Sequence, residues 1–351
     1  MKILRLTTLL DFGGQEKKYL SFTENPELLR HQYVFSAIGY GGNAERKLKE
    51  RGFEVHVLNR NFSIRNLSNI WAVYRLIKKI RPDVVHTAAA EANFHGIIAA
   101  KLAGVKTIIG EEIGIPNHSV TAQKIFRLVY QLADNVIGVS ASVKNHLVST
   151  GEISGEKGVV IYNPVSVPET FPKVVNSKFS IVYVGRLEKV KNVATLIKAF
   201  AKVSDDSKEL TLVGDGRERE SLEILVGDLG ISDKVHFTGF SSVPSRYLCN
   251  AQLFVLPSFS EGFGIAAVEA MFLKIPVLCT NVGGIPEFVT ESKTGWLFDP
   301  LNIEKLSQKL TYICGLPDLQ REKIAEDAYE YVINRFTVEK YITTLENFYG
   351  K

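Results

Sequence analysis

The segment from Ser258 to Met271, SFSEGFGIAAVEAM, combines carboxylates and glycines in a pattern suited to a phosphorylated ligand. It follows the apolar run 253–256, and its spacing predicts a helix that begins near Gly264. Free amides in the first turn of that helix favour an anion such as phosphate. Glu269, more than one turn inside the helix, can accept hydrogen bonds from a diol such as ribose. The alternative, acidic residues that complement the helix dipole, accounts for Glu261 in the preceding loop but not for Glu269.

A basic pattern follows another apolar run, at 180–184. In the stretch GRLEKVKN at 185–192, Arg186 offers a planar fork for phosphate and Lys191 offers a point charge. For either residue alone, an ordinary surface salt bridge is the simpler explanation. The position after a strand, together with the acidic segment, favours a role in ligand binding.

Short apolar runs alternate with helical patterns through most of the chain, and this alternation predicts the elements that position these residues. Such runs indicate parallel sheets covered by helices on both faces. The pattern restarts near residue 180, after a linker containing Pro164, Pro168 and Pro172. We therefore predict an α/β fold of two doubly wound Rossmann-like domains facing a central cleft. Ligands of such sheets bind outside the carboxyl ends of the strands.

The predicted domains are residues 1–165, residues 166–335 and a C-terminal helix at 336–351 that packs back on the first domain. From about residue 303 the pattern is mostly helical. The predicted strands are residues 3–10, 33–38, 53–58, 83–87, 107–109, 135–139, 159–161, 180–184, 210–213, 235–237, 253–256 and 277–278.

Length and composition limit the class of protein. The 351 residues, 45% hydrophobic and 23% charged, can supply two cores. No apolar run approaches the ~18 residues that span a bilayer, and the first residues lack the features of a signal peptide. The three cysteines are an odd number without C-x-x-C spacing, which excludes a disulfide framework and a cysteine zinc site and indicates a reducing cytoplasm.

The net charge of +4 is unevenly distributed. The first 170 residues contain 21 Lys and Arg against 15 Asp and Glu, whereas the remainder contains 21 against 23. The N-terminal half is therefore the half expected to face an anionic partner or surface, although a solvated basic surface also accounts for the excess. We expect no nucleic-acid partner.

These motifs resemble those of the retaining GT-B glycosyltransferases of family 4, also called glycosyl transferases group 1. The E-x7-E element of that family is similar to Glu261–Glu269, and its G-R-x4-K element is similar to Gly185–Lys191. The resemblance is close from about residue 179 to 310 and weaker in the first domain. Further matching segments are 212–216, 235–240, 282–287 and 294–298, with 13–14, 83–86, 139–140 and 162–164 in the first domain.

The resemblance implies a set of donor-binding residues. Arg186 and Lys191 would hold the donor pyrophosphate and Glu269 the ribose hydroxyls. Glu261, with backbone amides at the start of the helix, would hold the transferred sugar. Glycines of the first domain would approach the phosphates, and the loop 239–242 would lie near the base. The donor-binding residues implied in addition to Glu269 are Gly13, Gly14, Phe240, Phe263, Gly264, Ile265 and Ala266.

The first domain departs from the family pattern in two places. Ile113 stands where a histidine is common after the fifth strand, and only His86 of an H-x-H pattern after the fourth strand is present. Glu91, Glu111 or Glu112 would then supply polarity on the acceptor side. His86 is either a functional residue of that side or a packed, hydrogen-bonded histidine.

The sequence thus predicts a retaining, metal-independent hexosyltransferase that uses no cofactor. It would move a sugar from a nucleotide diphosphate donor to a glycan or lipid-linked acceptor in cell-surface polysaccharide or lipopolysaccharide synthesis. A UDP-sugar is the first candidate for the donor. The chain contains no D-x-D sequence, so a divalent metal held by aspartates is not indicated, and Arg186 and Lys191 are predicted to stabilise the leaving pyrophosphate. With Glu261, which the resemblance places at the transferred sugar, they are the predicted catalytic residues. No histidine or acid is evident as a base, so by the resemblance the leaving phosphate oxygen takes the acceptor proton on the same face.

Two other functions compete with this prediction. A nicotinamide-dependent Rossmann enzyme requires G-x-G-x-x-G after an early strand, and residues 11–14 do not match it. Residues 214–219 begin correctly but lack the third glycine. A non-catalytic nucleotide-sugar-binding protein would not need all of Glu261, Glu269, Arg186 and Lys191.

A further expectation concerns the membrane. Residues 66–80 form an amphipathic helix, and its apolar stripe is expected to cover the sheet. Its basic face, with Arg75, Lys78 and Lys79, could lie near anionic lipid at the inner face of the cytoplasmic membrane. The residues assigned to the buried stripe are Leu67, Ile70, Trp71, Tyr74 and Ile77.

Overall fold

The computed structural model describes residues 1–11, 13–172, 178–203 and 205–350. They form two compact units, Met1–Pro164 with Val338–Lys351, and Val165–Thr337. The predicted boundaries lay after residues 165 and 335, one and two residues from these divisions. Part of the predicted linker, residues 173–177, lies outside the described residues.

The first unit is built on a seven-stranded parallel sheet in the order β3-β2-β1-β4-β5-β6-β7. The order reverses between β1 and β4, which is the switch point of a doubly wound sheet. The strands are β1 Lys2–Thr7, β2 Gln32–Ala37, β3 Glu54–Val57, β4 Val84–Ala88, β5 Thr107–Glu112, β6 Asn135–Gly138 and β7 Gly158–Val160. The helices between them are α1 Gly14–Phe22, α2 Asn43–Glu50, α3 Ser68–Ile80, α4 Ala90–Ala103, α5 Val120–Gln131 and α6 Ala141–Ser149.

The second unit repeats the plan with six parallel strands in the order β10-β9-β8-β11-β12-β13. The strands are β8 Phe179–Val184, β9 Lys208–Val213, β10 Val235–Gly239, β11 Leu253–Leu256, β12 Val277–Thr280 and β13 Trp296–Phe298. The helices are α7 Val193–Ala201, α8 Arg219–Asp228, α9 Ser245–Leu248, α10 Ile265–Phe272, α11 Ile303–Cys314 and α12 Asp318–Ile333. The prediction of two Rossmann-like domains is confirmed; β13, only three residues long, was missed.

The last helix, α13 Val338–Tyr349, belongs to the first unit. It packs on α1, and Val338, Ile342 and Leu345 join the same hydrophobic core as residues of β1 and β2. Glu346, which is buried, accepts hydrogen bonds from the backbone N–H of Arg30 and from the Tyr33 hydroxyl at 3.0 Å. Polar and apolar contacts together fix this helix to the first unit.

Helix α3 corrects the predicted burial of its apolar stripe. The helix buries Asn69, Val73, Leu76, Ile77 and Ile80. Leu67, just before it, and Trp71 are instead 61% and 54% exposed. The Trp71 ring stacks on Tyr74 at 4.8 Å and lies under the Arg75 guanidinium. The predicted stripe combined residues of the buried face with residues of the exposed face. Apolar side chains at the edge of the buried face have the same helical spacing as those within it, so the sequence pattern does not separate them.

No helix in the described part of the chain has the length and apolarity needed to cross a membrane.

Candidate active site at the strand ends of the second unit

Lys191 and Glu261 meet at the carboxyl ends of two neighbouring strands. Lys191 closes a 310 turn after β8, Glu261 lies in the loop after β11, and β8 pairs with β11 in parallel. Lys191 Nζ donates to Glu261 Oε1 at 2.6 Å, and the Ser258 hydroxyl donates to the same oxygen at 2.7 Å. The side chains retain 20% and 10% exposure, so this ion pair remains accessible to a ligand.

Arg186 lies in the loop after β8, five residues before Lys191, and its side chain is exposed. Its carbonyl oxygen accepts a hydrogen bond from the Tyr183 hydroxyl at 2.8 Å, which fixes the backbone and leaves the guanidinium free to reach a ligand. No ion pair of Arg186 occurs among the described residues. A planar cation held at its base on a strand end is suited to phosphate.

The loop after β9 packs closely against the backbone of the Arg186 loop. A Cβ on Gly214, whose φ is +141°, would lie 1.9 Å from the carbonyl oxygen of Gly185. One on Gly216 would lie 2.3 Å from that of Leu187. The two glycines of this G-x-G are therefore required for close packing of two loops, which accounts for a motif that is incomplete for dinucleotide binding.

The helix α10 begins where the sequence predicted it. Gly264, with φ +99°, precedes the helix, and no described side chain caps the first turn, which includes Ile265 and Ala266. Glu269 lies inside the helix and is 6% exposed. Phe263 is buried against Phe288 and Phe336, with ring centroids 5.5 and 5.0 Å away, so only its backbone is available to a ligand.

The glycines of the segment 282–287 hold the Glu261 loop. Gly283, at φ +56°, lies so close that a Cβ there would be 1.7 Å from the Glu261 carbonyl oxygen. The N–H of Gly284 donates to that oxygen at 3.2 Å. Phe240, which follows β10, is 63% exposed, as a residue that contacts a planar base could be.

In the first unit, Gly13 and Gly14 form the exposed start of α1. A Cβ on Gly13 would lie 2.4 Å from Glu16 Oε2, so this carboxylate folds back toward the amino end of its own helix.

The predicted acceptor-side roles of His86 and Glu111 are corrected. His86 lies within β4, as predicted, whereas Glu111 lies within β5 rather than in the loop predicted after it; both side chains are fully buried. Glu111 pairs with Arg5 at 3.1 Å, with Lys18 and with His86 at 2.9 Å, while His86 Nδ1 lies 2.6 Å from the Tyr349 hydroxyl. We call Arg5, Lys18, His86, Glu111 and Tyr349 the buried charge cluster.

Burial and charge set the ionisation of this cluster. Burial alone would raise the pKa of Glu111, but Lys18, His86 and Arg5 lower it below its usual range. Burial, aided by Arg5, lowers the pKa of His86 to about 3, so its imidazole is neutral. The cluster therefore holds β1, β4, β5, α1 and α13 together, and His86 is the packed histidine of the two alternatives.

Glu112 ends β5 and is also buried rather than in a loop. It accepts hydrogen bonds from Asn93 Nδ2 at 3.0 Å and from the Tyr130 hydroxyl. Burial raises its pKa to about 7. Glu91, in the first turn of α4, is half-buried and accepts from the Thr8 hydroxyl at 3.3 Å.

A titratable pair near Glu112 was missed by the sequence analysis. His118 Nδ1 lies 3.0 Å from Glu152 Oε2, and this hydrogen bond raises the pKa of His118. The ring stacks on Phe126 at 4.3 Å. His118 lies five residues after Ile113, the position where the family commonly has a histidine. Its partner Glu152 is 34 residues further along the chain, so no local motif indicated that the two side chains meet. Among the described residues no three His, Cys, Asp or Glu side chains are placed to hold a metal ion.

The two units and the strand-end site define a class of protein. Two solved structures of HepE from Anabaena, in complex with UDP and glucose and with UDP-glucose, superpose with TM-scores of 0.86 and 0.84. Both structures are 23% identical to this chain in sequence. The match to the first covers 100% of both chains, and the match to the second covers 100% of this chain and 99% of the other. At this identity the likeness concerns the fold, which is that of the GT-B glycosyltransferases.

Sequence comparisons identify the family. Residues 169–331 match the model "Glycosyl transferases group 1", and residues 13–168 match "Glycosyltransferase Family 4". The capsular polysaccharide biosynthesis glycosyltransferase CapM of Staphylococcus aureus is 25% identical over 87% of both chains. N-acetyl-alpha-D-glucosaminyl L-malate synthase of Bacillus anthracis is 28% identical over 72% of this chain and 69% of its own. The chain belongs to the group 1 glycosyltransferases.

Proposed function

We propose that this glycosyltransferase transfers a hexose from a nucleotide diphosphate donor, a UDP-sugar first, to a glycan or lipid-linked acceptor in cell-surface polysaccharide synthesis. The accessible pair of Lys191 with Glu261 is the observation that carries the proposal, because it joins an anion-binding and a hydroxyl-binding group at adjacent strand ends. The names of relatives support it: CapM acts in capsular polysaccharide biosynthesis, and an Escherichia coli relative is a UDP-Gal galactosyltransferase acting on a diphosphoundecaprenol-linked sugar.

In this proposal Lys191 and Arg186 hold the donor diphosphate and stabilise the charge that develops on it as the glycosidic bond breaks. Glu269 binds the ribose, and Glu261 binds the transferred sugar. These roles require no divalent metal, and full activity in EDTA is the expected result. Complete loss in EDTA would contradict a metal-independent reaction.

The configuration of the product tests the chemical course. If the leaving phosphate oxygen accepts the acceptor proton on the face from which it departs, an α-linked donor yields an α-linked product. An NMR time course that shows a β product from an α donor would contradict this retaining course.

Mass spectrometry after incubation with UDP-, GDP-, ADP- and TDP-sugars identifies the donor. The same incubation, without acceptor, addresses the alternative of a non-catalytic binding protein. An enzyme releases nucleoside diphosphate by slow hydrolysis of its donor, whereas a binding protein releases none. Turnover of one donor class is expected.

We also propose peripheral contact with the inner face of the cytoplasmic membrane through the outer face of α3. Leu67 and Trp71 are exposed there beside Arg75, Lys78 and Lys79, and α3 contains no acidic residue. Aromatic and basic side chains on one helix face favour an interface rich in anionic lipid. Sedimentation with phosphatidylglycerol-containing and purely zwitterionic vesicles should show binding only to the former. Equal binding to both, or none at low salt, would contradict the contact.

A further inference from the structure

Asn192 directly follows Lys191 and has an unusual backbone. Its φ of +55° lies in the left-handed region, which favours glycine and, among other residues, asparagine. The residue ends the 310 turn, precedes α7 and is 6% exposed. A buried polar side chain at such a turn requires hydrogen-bond partners.

The carboxamide of Asn192 makes three hydrogen bonds, which use both of its N–H donors. Nδ2 donates to the carbonyl oxygen of Pro257 and to that of Pro300, each at 3.0 Å. Oδ1 accepts from the Thr195 hydroxyl at 2.7 Å. Pro257 immediately precedes the loop of Glu261, and Pro300 follows β13. One side chain therefore connects the Lys191 turn to two other strand-end loops.

A second contact joins the Lys191 turn to the Glu261 loop. The backbone N–H of Phe259 donates to the carbonyl oxygen of Val190 at 2.8 Å. With Asn192 on the other side of Lys191, the backbone of the turn is held at both neighbours of the lysine. The position of Lys191 Nζ relative to Glu261 then depends on its own side chain rather than on motion of the loop.

We propose that Asn192 is a positioning residue, whose carboxamide holds the Lys191 turn against the Glu261 loop so that Lys191 Nζ meets the donor diphosphate. The inference rests on the proposed function, in which Lys191 contacts that diphosphate. An aspartate could not replace the amide, because a carboxylate has no N–H to donate to the two carbonyl oxygens.

The first experiment measures binding of UDP, GDP and ADP by isothermal titration calorimetry, with the tightest nucleotide as the probe. Asn192→Gly keeps the left-handed turn and removes the carboxamide; a loss of tenfold or more in affinity is expected. Ser292→Ala, at an exposed left-handed residue with φ +58° in the same unit, is the matched control and should bind as the wild type does. Wild-type affinity of Asn192→Gly would overturn the inference.

A double-mutant cycle separates positioning from general stability. In a Lys191→Ala background, Asn192→Gly should weaken binding less than twofold, because the group it positions is gone. A merely structural role would instead carry the full loss into that background. Thr195→Val, which removes only the contact that orients the carboxamide, should give a two- to threefold loss and serves where Asn192→Gly unfolds.

The outcomes distinguish the two proposals. If no nucleotide binds the wild type, or Lys191→Ala leaves binding and transfer unchanged, the proposed role of Lys191 fails and the inference with it. If Lys191→Ala weakens binding while Asn192→Gly does not, or does so equally in both backgrounds, the positioning role alone is wrong.

Discussion

The pair of Lys191 with Glu261 and the buried charge cluster around Glu111 are built from the same residue types, but water reaches only the first. The side chains of the pair are 20% and 10% exposed, whereas those of Arg5, Lys18 and Glu111 are 0–1% exposed. An exposed ion pair can exchange its partner for a ligand at small cost. A buried charge that loses its partner is strongly destabilising. In this comparison accessibility, rather than residue type, distinguishes the proposed binding site from the internal support.

The largest expected effect is on the buried side of this comparison. Glu111→Ala leaves the charges of Arg5 and Lys18 unpaired inside the first unit. We expect the free energy of unfolding to fall by about 3–5 kcal/mol. Urea denaturation measures this, with Glu50→Ala, an exposed residue of α2, as the control. A change below 1 kcal/mol would mean that the cluster contributes no more than a surface pair.

The open pair should show the opposite balance. Lys191→Ala should lower kcat/KM by about a hundredfold, equivalent to ~3 kcal/mol of transition-state stabilisation. Arg186→Ala should act in the same direction. Stability should change little, because the pair is partly exposed. Steady-state kinetics and urea denaturation of the same preparations test this against Lys189→Ala, an exposed lysine of the same turn. Full activity of both alanine variants would contradict the assignment.

Glu112 is a further buried carboxyl group of the first unit, and its ionisation should make the stability of the fold depend on pH. Burial raises its pKa to about 7 in the folded chain, above the ordinary value in the unfolded one. The neutral carboxyl therefore stabilises the fold below the unfolded pKa, and this contribution is lost as the pH rises toward and through about 7. Glu112→Gln should remove that decline, which we expect to be on the order of 2 kcal/mol.

Urea denaturation of wild type and Glu112→Gln between pH 5 and 8 is the measurement. The variant should gain stability relative to the wild type as the pH rises. Parallel pH profiles for the two proteins would show that Glu112 does not titrate in this range.

The smallest expected effect lies on the surface. Trp71→Ala together with Lys78→Ala should weaken sedimentation with anionic vesicles severalfold, since each basic residue near such a surface contributes ~1 kcal/mol. Leu319→Ala, 78% exposed in the second unit, is the control for loss of an exposed apolar side chain. Unchanged sedimentation of the double variant would place any membrane contact elsewhere.

Much of this organisation could be predicted from the sequence, because the signals are local. The start of α10 at Gly264 and the loop position of Glu261 follow from glycines, an apolar run and helical spacing within one short segment. Strands such as β11, at Leu253–Leu256, were predicted residue for residue because a strand buried on both faces is apolar throughout. The prediction did not include β13, at Trp296–Phe298.

The predictions that failed depended on contacts between distant parts of the chain. His86 is the neighbour of Arg5 in the sheet register, and Glu111 accepts a hydrogen bond from Arg5. Lys18 and Tyr349, which come from α1 and α13, complete the burial of both residues. Trp71 was assigned to the buried stripe of α3 because helical spacing alone does not show which side chains at the edge of the apolar face are buried.

The sequence by itself determined the alternation of strand and helix, the motifs after the strands and the residue types that recognise phosphate and hydroxyl groups. Each of these signals is contained within one short segment of the chain, so it can be recognised without knowing the tertiary contacts. Only the tertiary structure decided which carboxylates remain accessible, because burial is set by elements far apart in sequence, such as α1 and α13 over β1, β4 and β5. It also decided the role of Asn192, whose partners Pro257 and Pro300 lie 65 and 108 residues away.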